Sequence, residues 1–162
     1  MTLMSSQDYK KKKILFCAST VSHIINFHTP YLKEFCDLGY EVHVAVDRYE
    51  KIDWAHKTIA LPFTKSLFSL RNIYSIVKLR RLLKTGGYEK ISSNTTLAGI
   101  IVRFACLFLK KRPRIYHIVH GYHFSLNDGL KKLLYLIPEK IASSVSDVVM
   151  CQRRNIFDPI AG

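Results

Sequence analysis

The chain alternates short, unbroken apolar runs with longer stretches of helical spacing, and this alternation constrains the fold more than any other feature. Residues 14–18 (ILFCA) follow four lysines as a continuous apolar run, the pattern of a parallel strand buried on both faces. Residues 26–38 then show helical spacing through Phe27, Tyr31, Leu32, Phe35 and Leu38, and Gly39 predicts the C-terminal cap. Residues 41–46 read as a second strand and residues 58–61 as a third, stopped by Pro62. Ser69 can cap a helix over residues 70–84, whose stripe of Ile73, Ile76, Val77 and Leu82 or Leu83 is expected to face the core. Residues 88–93 form a weaker fourth strand. Asn94 or Thr95 can cap a very apolar helix reaching about Leu109. A fifth strand at 115–119, a helix at 128–142 kinked by Pro138, and a sixth strand at 146–150 complete the series. Strands alternating with helices predict an α/β, Rossmann-like, doubly wound and mainly parallel sheet of about six strands.

Length and composition fit one domain with a real core, since 48% of the 162 residues are hydrophobic and 23% charged. The expected organisation is a basic tail at 1–12, a domain at 13–150 and a divergent tail at 151–162. The net charge of +13 favours anionic partners. Its basic residues cluster at 10–13, at Arg80, Arg81 and Lys84, at 110–114, and at Lys131 and Lys132. No nucleic-acid-binding signature accompanies them, so nucleic acid is not expected. The four cysteines have no CxxC spacing, which argues against a disulfide framework or a zinc site. No signal peptide is expected, and the apolar stretch at 97–109 is too short to span a bilayer and carries Arg103. The expected compartment is the cytoplasm, with peripheral attachment to the inner face of the membrane as an option.

In an open parallel sheet the ligand lies beyond the C-terminal strand ends, so the loops after strands one, four and five are the candidate site. They carry Ser19 and His23, Asn94 and Thr95, and His120, Gly121 and His123. The first loop lacks GxGxxG, and the chain has neither GxxxxGKS nor GxSxG. Classical dinucleotide, P-loop and α/β-hydrolase chemistry are therefore disfavoured, and no cofactor is expected. His117 and His120 point to opposite faces of a strand, which argues against a metal shared with His123. His117 reads as an interior histidine, and packing or capping explains His23 and His28 as well as binding does.

Several segments, in order, resemble one family. They are KILFCAS at 13–19, SHIINFHTPY at 22–31, GYEVHVA at 39–45, LPFTKS at 61–66 with SLRN at 69–72, IVHGYHF at 118–124, and PEK at 138–140 with SDVV at 146–149. Together they resemble the N-terminal domain of family 4 glycosyltransferases, within the subgroup that builds capsular and exopolysaccharide repeat units. The resemblance implies a GT-B fold, with this domain on the acceptor side of a cleft and a separate domain holding the nucleotide-sugar donor. It implies metal-independent transfer with retention of anomeric configuration. It places His120 against the donor sugar as the catalytic candidate, with Gly121 allowing the turn. It places Ser19, His23, Asn94, Thr95 and His123 among the substrate-binding candidates. Asn94 stands where relatives carry histidine, so a proton-transfer role is not expected there. The segment CQRRNIFDPIAG at 151–162 departs from the family pattern. The isolated chain is thus expected to be inactive without a donor domain, and a separate donor-domain protein is among the expected partners. The implied partners are a nucleotide sugar, a glycan or polyprenyl-linked acceptor and an anionic membrane surface. The competing expectation is a non-catalytic membrane-surface or regulatory module, or the inactive remnant of a truncated gene.

Overall fold

A computed structural model of the chain describes residues 11–64, 69–119 and 146–151. Its strands are β1 (Lys13–Cys17), β2 (Glu41–Val46), β3 (Lys57–Ala60), β4 (Tyr88–Ser93), β5 (Arg114–Val119) and β6 (Val148–Cys151). Its helices are α1 (Val21–Phe27), α2 (Thr29–Asp37), α3 (Leu70–Gly86) and α4 (Thr96–Cys106). The strands form one sheet in the order β3-β2-β1-β4-β5-β6, and every pairing is parallel. The chain winds from β1 one way to β3 and then returns past β1 to β4, so the order reverses between β1 and β4. Right-handed crossovers put α1 and α2 on one face and α3 and α4 on the other.

The unbroken apolar run of β1 serves both faces. Ile14, Phe16 and Ala18 join Val42, Val44 and Val46 of β2 beneath Ile24 of α1 and Leu32 of α2. Leu15 and Cys17 point the other way, into a core with Leu79 and Leu83 of α3 and Ile101, Val102 and Ala105 of α4. An alternating strand would have left one face bare; a continuous one supplies two cores.

Two expectations about the helices are corrected. The helix expected over 26–38 is two helices joined at His28. Pro30 lies in the first turn of α2, where its missing N–H costs nothing, and it cannot continue α1. Leu32 alone of α2 is fully buried, while Phe27, Tyr31 and Leu38 face outward. Gly39 follows α2 at φ +81°, the left-handed position expected of the residue after a helix end. The second correction concerns α3. Ile73 and Val77 point to solvent, Ile76, Leu82 and Leu83 pack on the core as expected, and Asn72, Ser75 and Leu79 complete the inward face. Asn72 fixes this phase by clamping the incoming loop: its Oδ1 accepts from Thr64 N and its Nδ2 donates to Thr64 O, both at 3.0 Å.

The apolar α4 is core. Every residue from Ala98 to Val102 is buried, as are Arg103, Ala105 and Cys106. Among the described residues no helix is long and apolar enough to cross a membrane.

Candidate functional site

The reversal between β1 and β4 separates two loops at the C-terminal edge of the sheet, and the crevice between them is where an open α/β sheet takes its ligand. Both loops are built from short polar residues. Ser19 follows β1, and Asn94 and Thr95 follow β4. Thr95 joins them. Its hydroxyl accepts from Ala98 N at 3.3 Å, capping α4, and from Ser19 N at 3.1 Å, bridging the crevice. Asn94 N donates to Cys17 O at 2.9 Å, continuing the β1–β4 ladder into the loop. The third neighbour, β2, joins through Asp47, whose Oδ1 accepts from Val21 N at 2.8 Å and so anchors the start of α1.

The candidate residues do not share one environment. Ser19 and Thr95 are half-buried and face the crevice mouth together. His23 is half-buried on α1 and packs against Phe27 at 5.1 Å and His28 at 5.2 Å between ring centroids. Asn94 is fully buried, and both polar atoms of its amide turn back to β4. Its Oδ1 accepts from Ser92 Oγ at 3.0 Å and its Nδ2 donates to Ser92 O at 3.3 Å. It therefore braces the strand end. His120, Gly121 and His123 lie outside the described residues.

Beneath the crevice, on the α4 side, Cys17, Ser93 and His117 share one row, because the register pairs Cys17 with Ser93 and Ser93 with His117. His117 is 1% exposed, and its Nδ1 lies 2.9 Å from Ser93 Oγ. It is an interior histidine, as the sequence pattern suggests, with its Nδ1 held at Ser93. Gly99 of α4 lies over the ring: a Cβ there would stand 2.3 Å from His117 Cε1. Burial drives the Cys17 thiol far above its ordinary pKa and pushes Cys106 up to about 12, so neither is a thiolate nucleophile. Cys17, Cys36 and Cys106 are free thiols, and among the described residues no three His, Cys, Asp or Glu side chains gather as a metal site.

On the α1/α2 face a cavity of about 270 Å³ opens beside the crevice. Phe16, His28, Tyr31 and Phe35 wall it, and Ser92, Tyr116 and Ile118 lie on its strand side. Such a lining suits an apolar group or a sugar ring. The sequence pattern left Asp47 and the aromatic wall out of the site. The signal for Asp47 was present, an acid at a strand's C-terminal end, but its partner on α1 is remote.

At the opposite edge, His43 sits between two partners. Its Nε2 lies 2.8 Å from Glu41 Oε1 and its Nδ1 lies 2.7 Å from Tyr88 Oη. The network fits a neutral ring that donates to the carboxylate and accepts from the phenol. Burial holds the imidazole below its ordinary pKa, partly opposed by Glu41, and burial also pushes the Tyr88 phenol up to about 12.

No protein-family model matches the chain. A Bacillus subtilis (strain 168) protein named "Putative glycosyltransferase EpsD" is 31% identical over 141 residues, covering 86% of this chain. The chain spans 37% of that protein's length. Among solved structures, a UDP-N-acetylglucosamine 2-epimerase superposes with a TM-score of 0.63 at 12% identity, over 88% of this chain and 42% of that one. A sucrose-phosphate synthase fragment from Thermosynechococcus elongatus superposes with a TM-score of 0.59 at 15% identity, over 88% of this chain and 77% of the fragment. At such identities these structures bear on the fold alone, and they share its Rossmann-like sheet. The relation to EpsD over 86% of its length places the chain among the glycosyltransferases, and the solved structures share the Rossmann-like fold of its domain.

Proposed function

We propose that the chain is the acceptor-side half of a retaining sugar-transfer enzyme. In this reading a nucleotide-sugar donor held by a second domain meets a lipid-linked glycan acceptor at the crevice between the β1 and β4 loops. The product is a growing repeat unit of bacterial surface polysaccharide. The observation that carries the reading is the 31% identity to EpsD across 86% of the chain. The bridged Ser19–Thr95 mouth supports it, because it offers hydroxyl groups of the kind that bind sugar hydroxyls. His120 is assigned, from the family resemblance, to face the donor sugar and steady developing charge. Ser19, His23 and Thr95 are assigned to the acceptor, with Gly121 and His123 beside His120. Asn94 acts through Ser92 by bracing the strand end. Neither a metal nor a resident cofactor enters the scheme.

The test is reconstitution. The purified chain is mixed with candidate donor-domain proteins, labelled nucleotide sugars and a lipid-linked acceptor, and label in the lipid fraction is counted. Transfer is expected only with a donor-domain partner, and the His120→Ala chain should lose it while still pairing with that partner. Absence of transfer in every pairing overturns the catalytic reading. It would leave a non-catalytic module, which the inward-turned Asn94 amide favours.

A further inference from the structure

α3 is inverted over its first half. Its inward face begins with two polar residues, Asn72 and Ser75, both buried. Its outward face carries Leu70, Ile73, Tyr74 and Val77, exposed by 81%, 51%, 58% and 41%. These positions are spaced i, i+3, i+4 and i+7, so they form one line along the helix. The same line continues through Arg81 and Lys84, both exposed. Arg71 and Lys78, also exposed, flank it on one side. Between Leu70 and Gly86 the helix has five basic residues and no acidic one.

A contiguous apolar line on a solvated helix marks a contact surface. The buried clamp of Asn72 on Thr64 rules out the simplest alternative, a helix free to roll its apolar side inward. The apolar helix α4 offers no such face, because it is sealed in the core.

We propose that the outward face of α3 seats on an anionic lipid surface. Leu70, Ile73, Tyr74 and Val77 enter the headgroup and upper acyl region, and Lys78, Arg81 and Lys84 lie against lipid phosphates. The charge pattern selects this occupant. A second copy of the chain would bring two chains of net charge +13 together across helix faces that carry no acidic residue. Single-stranded nucleic acid calls for aromatic stacking platforms, and three of the four apolar residues here are aliphatic. The inference stands apart from the catalytic reading, because it uses neither the crevice nor its residues.

The experiment is co-sedimentation of the whole chain with vesicles of phosphatidylcholine, with and without phosphatidylglycerol, at low and high salt. Partition should require phosphatidylglycerol and weaken with salt. The double variant Arg81→Gln with Lys84→Gln should lower the partition coefficient roughly thirtyfold, at about 1 kcal/mol per basic residue. The double variant Ile73→Ser with Val77→Ser should lower it at least tenfold, while Leu38→Ser, an exposed leucine on the other side of the sheet, should leave it unchanged. Circular dichroism checks that each variant is folded. Three outcomes overturn the proposal. The wild-type chain fails to partition; or Ile73→Ser with Val77→Ser binds like wild type; or the wild type is a dimer in solution that this variant alone converts to monomer.

Discussion

Replacing Gly99 by alanine tests how closely α4 is laid onto the sheet. On helix propensity alone the change should help, by about 1 kcal/mol, because glycine is the weaker helix former. The packing says the opposite. The new Cβ would stand 2.3 Å from His117 Cε1, 2.7 Å from Nδ1 and 3.0 Å from Nε2. Ordinary carbon contacts begin near 3.5 Å, so ring and helix must part by about 1.2 Å. The ring has little room to retreat, since it is buried and tied to Ser93. Forcing an extra carbon into a packed core costs about 1–3 kcal/mol. Losing the Ser93 hydrogen bond adds about 1 kcal/mol. After the helix-propensity gain, Gly99→Ala should destabilise the chain by roughly 1–3 kcal/mol, or about 2–4 °C in Tm for each kcal/mol. Urea denaturation followed by circular dichroism measures it. The sharper arm uses His117→Ala as background. With the ring gone, Gly99→Ala should reverse sign and stabilise by up to about 1 kcal/mol. A Gly99→Ala chain as stable as wild type, or the same loss in both backgrounds, would refute the argument from the contact.

Two further outcomes follow from the hydrogen bonding. Thr95→Val removes the cap of α4 and the bridge to Ser19 together and should cost about 1–2 kcal/mol in urea denaturation, whereas Thr95→Ser should keep most of the stability. The His43 pKa is lowered on folding, so its contribution is fully present above the unfolded value of about 6.5 and is lost as pH falls through the folded value. Wild-type stability should therefore decline on acidification below about pH 6.5, and His43→Gln should flatten that part of the profile in a series of urea melts.

Much of the sheet can be read from the sequence because β1 is a continuous apolar run and strand-length segments alternate with stretches of helical spacing. β1 carries enough apolar residues to face two cores, and this by itself demands helices on both sides. Handedness then orders the strands. The helices were less legible where remote partners set their phase. The 73, 76 and 77 pattern of α3 resembles a core stripe, yet only Ile76 of the three packs inward, while Asn72 reaching Thr64 turns Ile73 and Val77 outward. The break at His28 did have a local signal in Pro30, which the continuous spacing from Phe27 to Leu38 obscured. At the site, the loops could be located from topology, since they follow from strand order. Their chemistry could not. Asn94 and Thr95 are adjacent and similarly polar, but one is turned into β4 by Ser92 and the other spans the crevice to Ser19.

The Ser19–Thr95 bridge divides the two loops into a fixed part and a variable part. The donor is the main-chain N–H of Ser19, which every residue except proline supplies, and the acceptor is a side-chain oxygen, which only the few short polar residues that can also cap α4 provide. Position 19 can therefore change its side chain, and with it the surface offered at the crevice mouth, while the two loops stay joined. Position 95 has no such freedom. Diversification of what the crevice accepts should run through the β1 loop, with Thr95 as the hinge pin around which it is rebuilt.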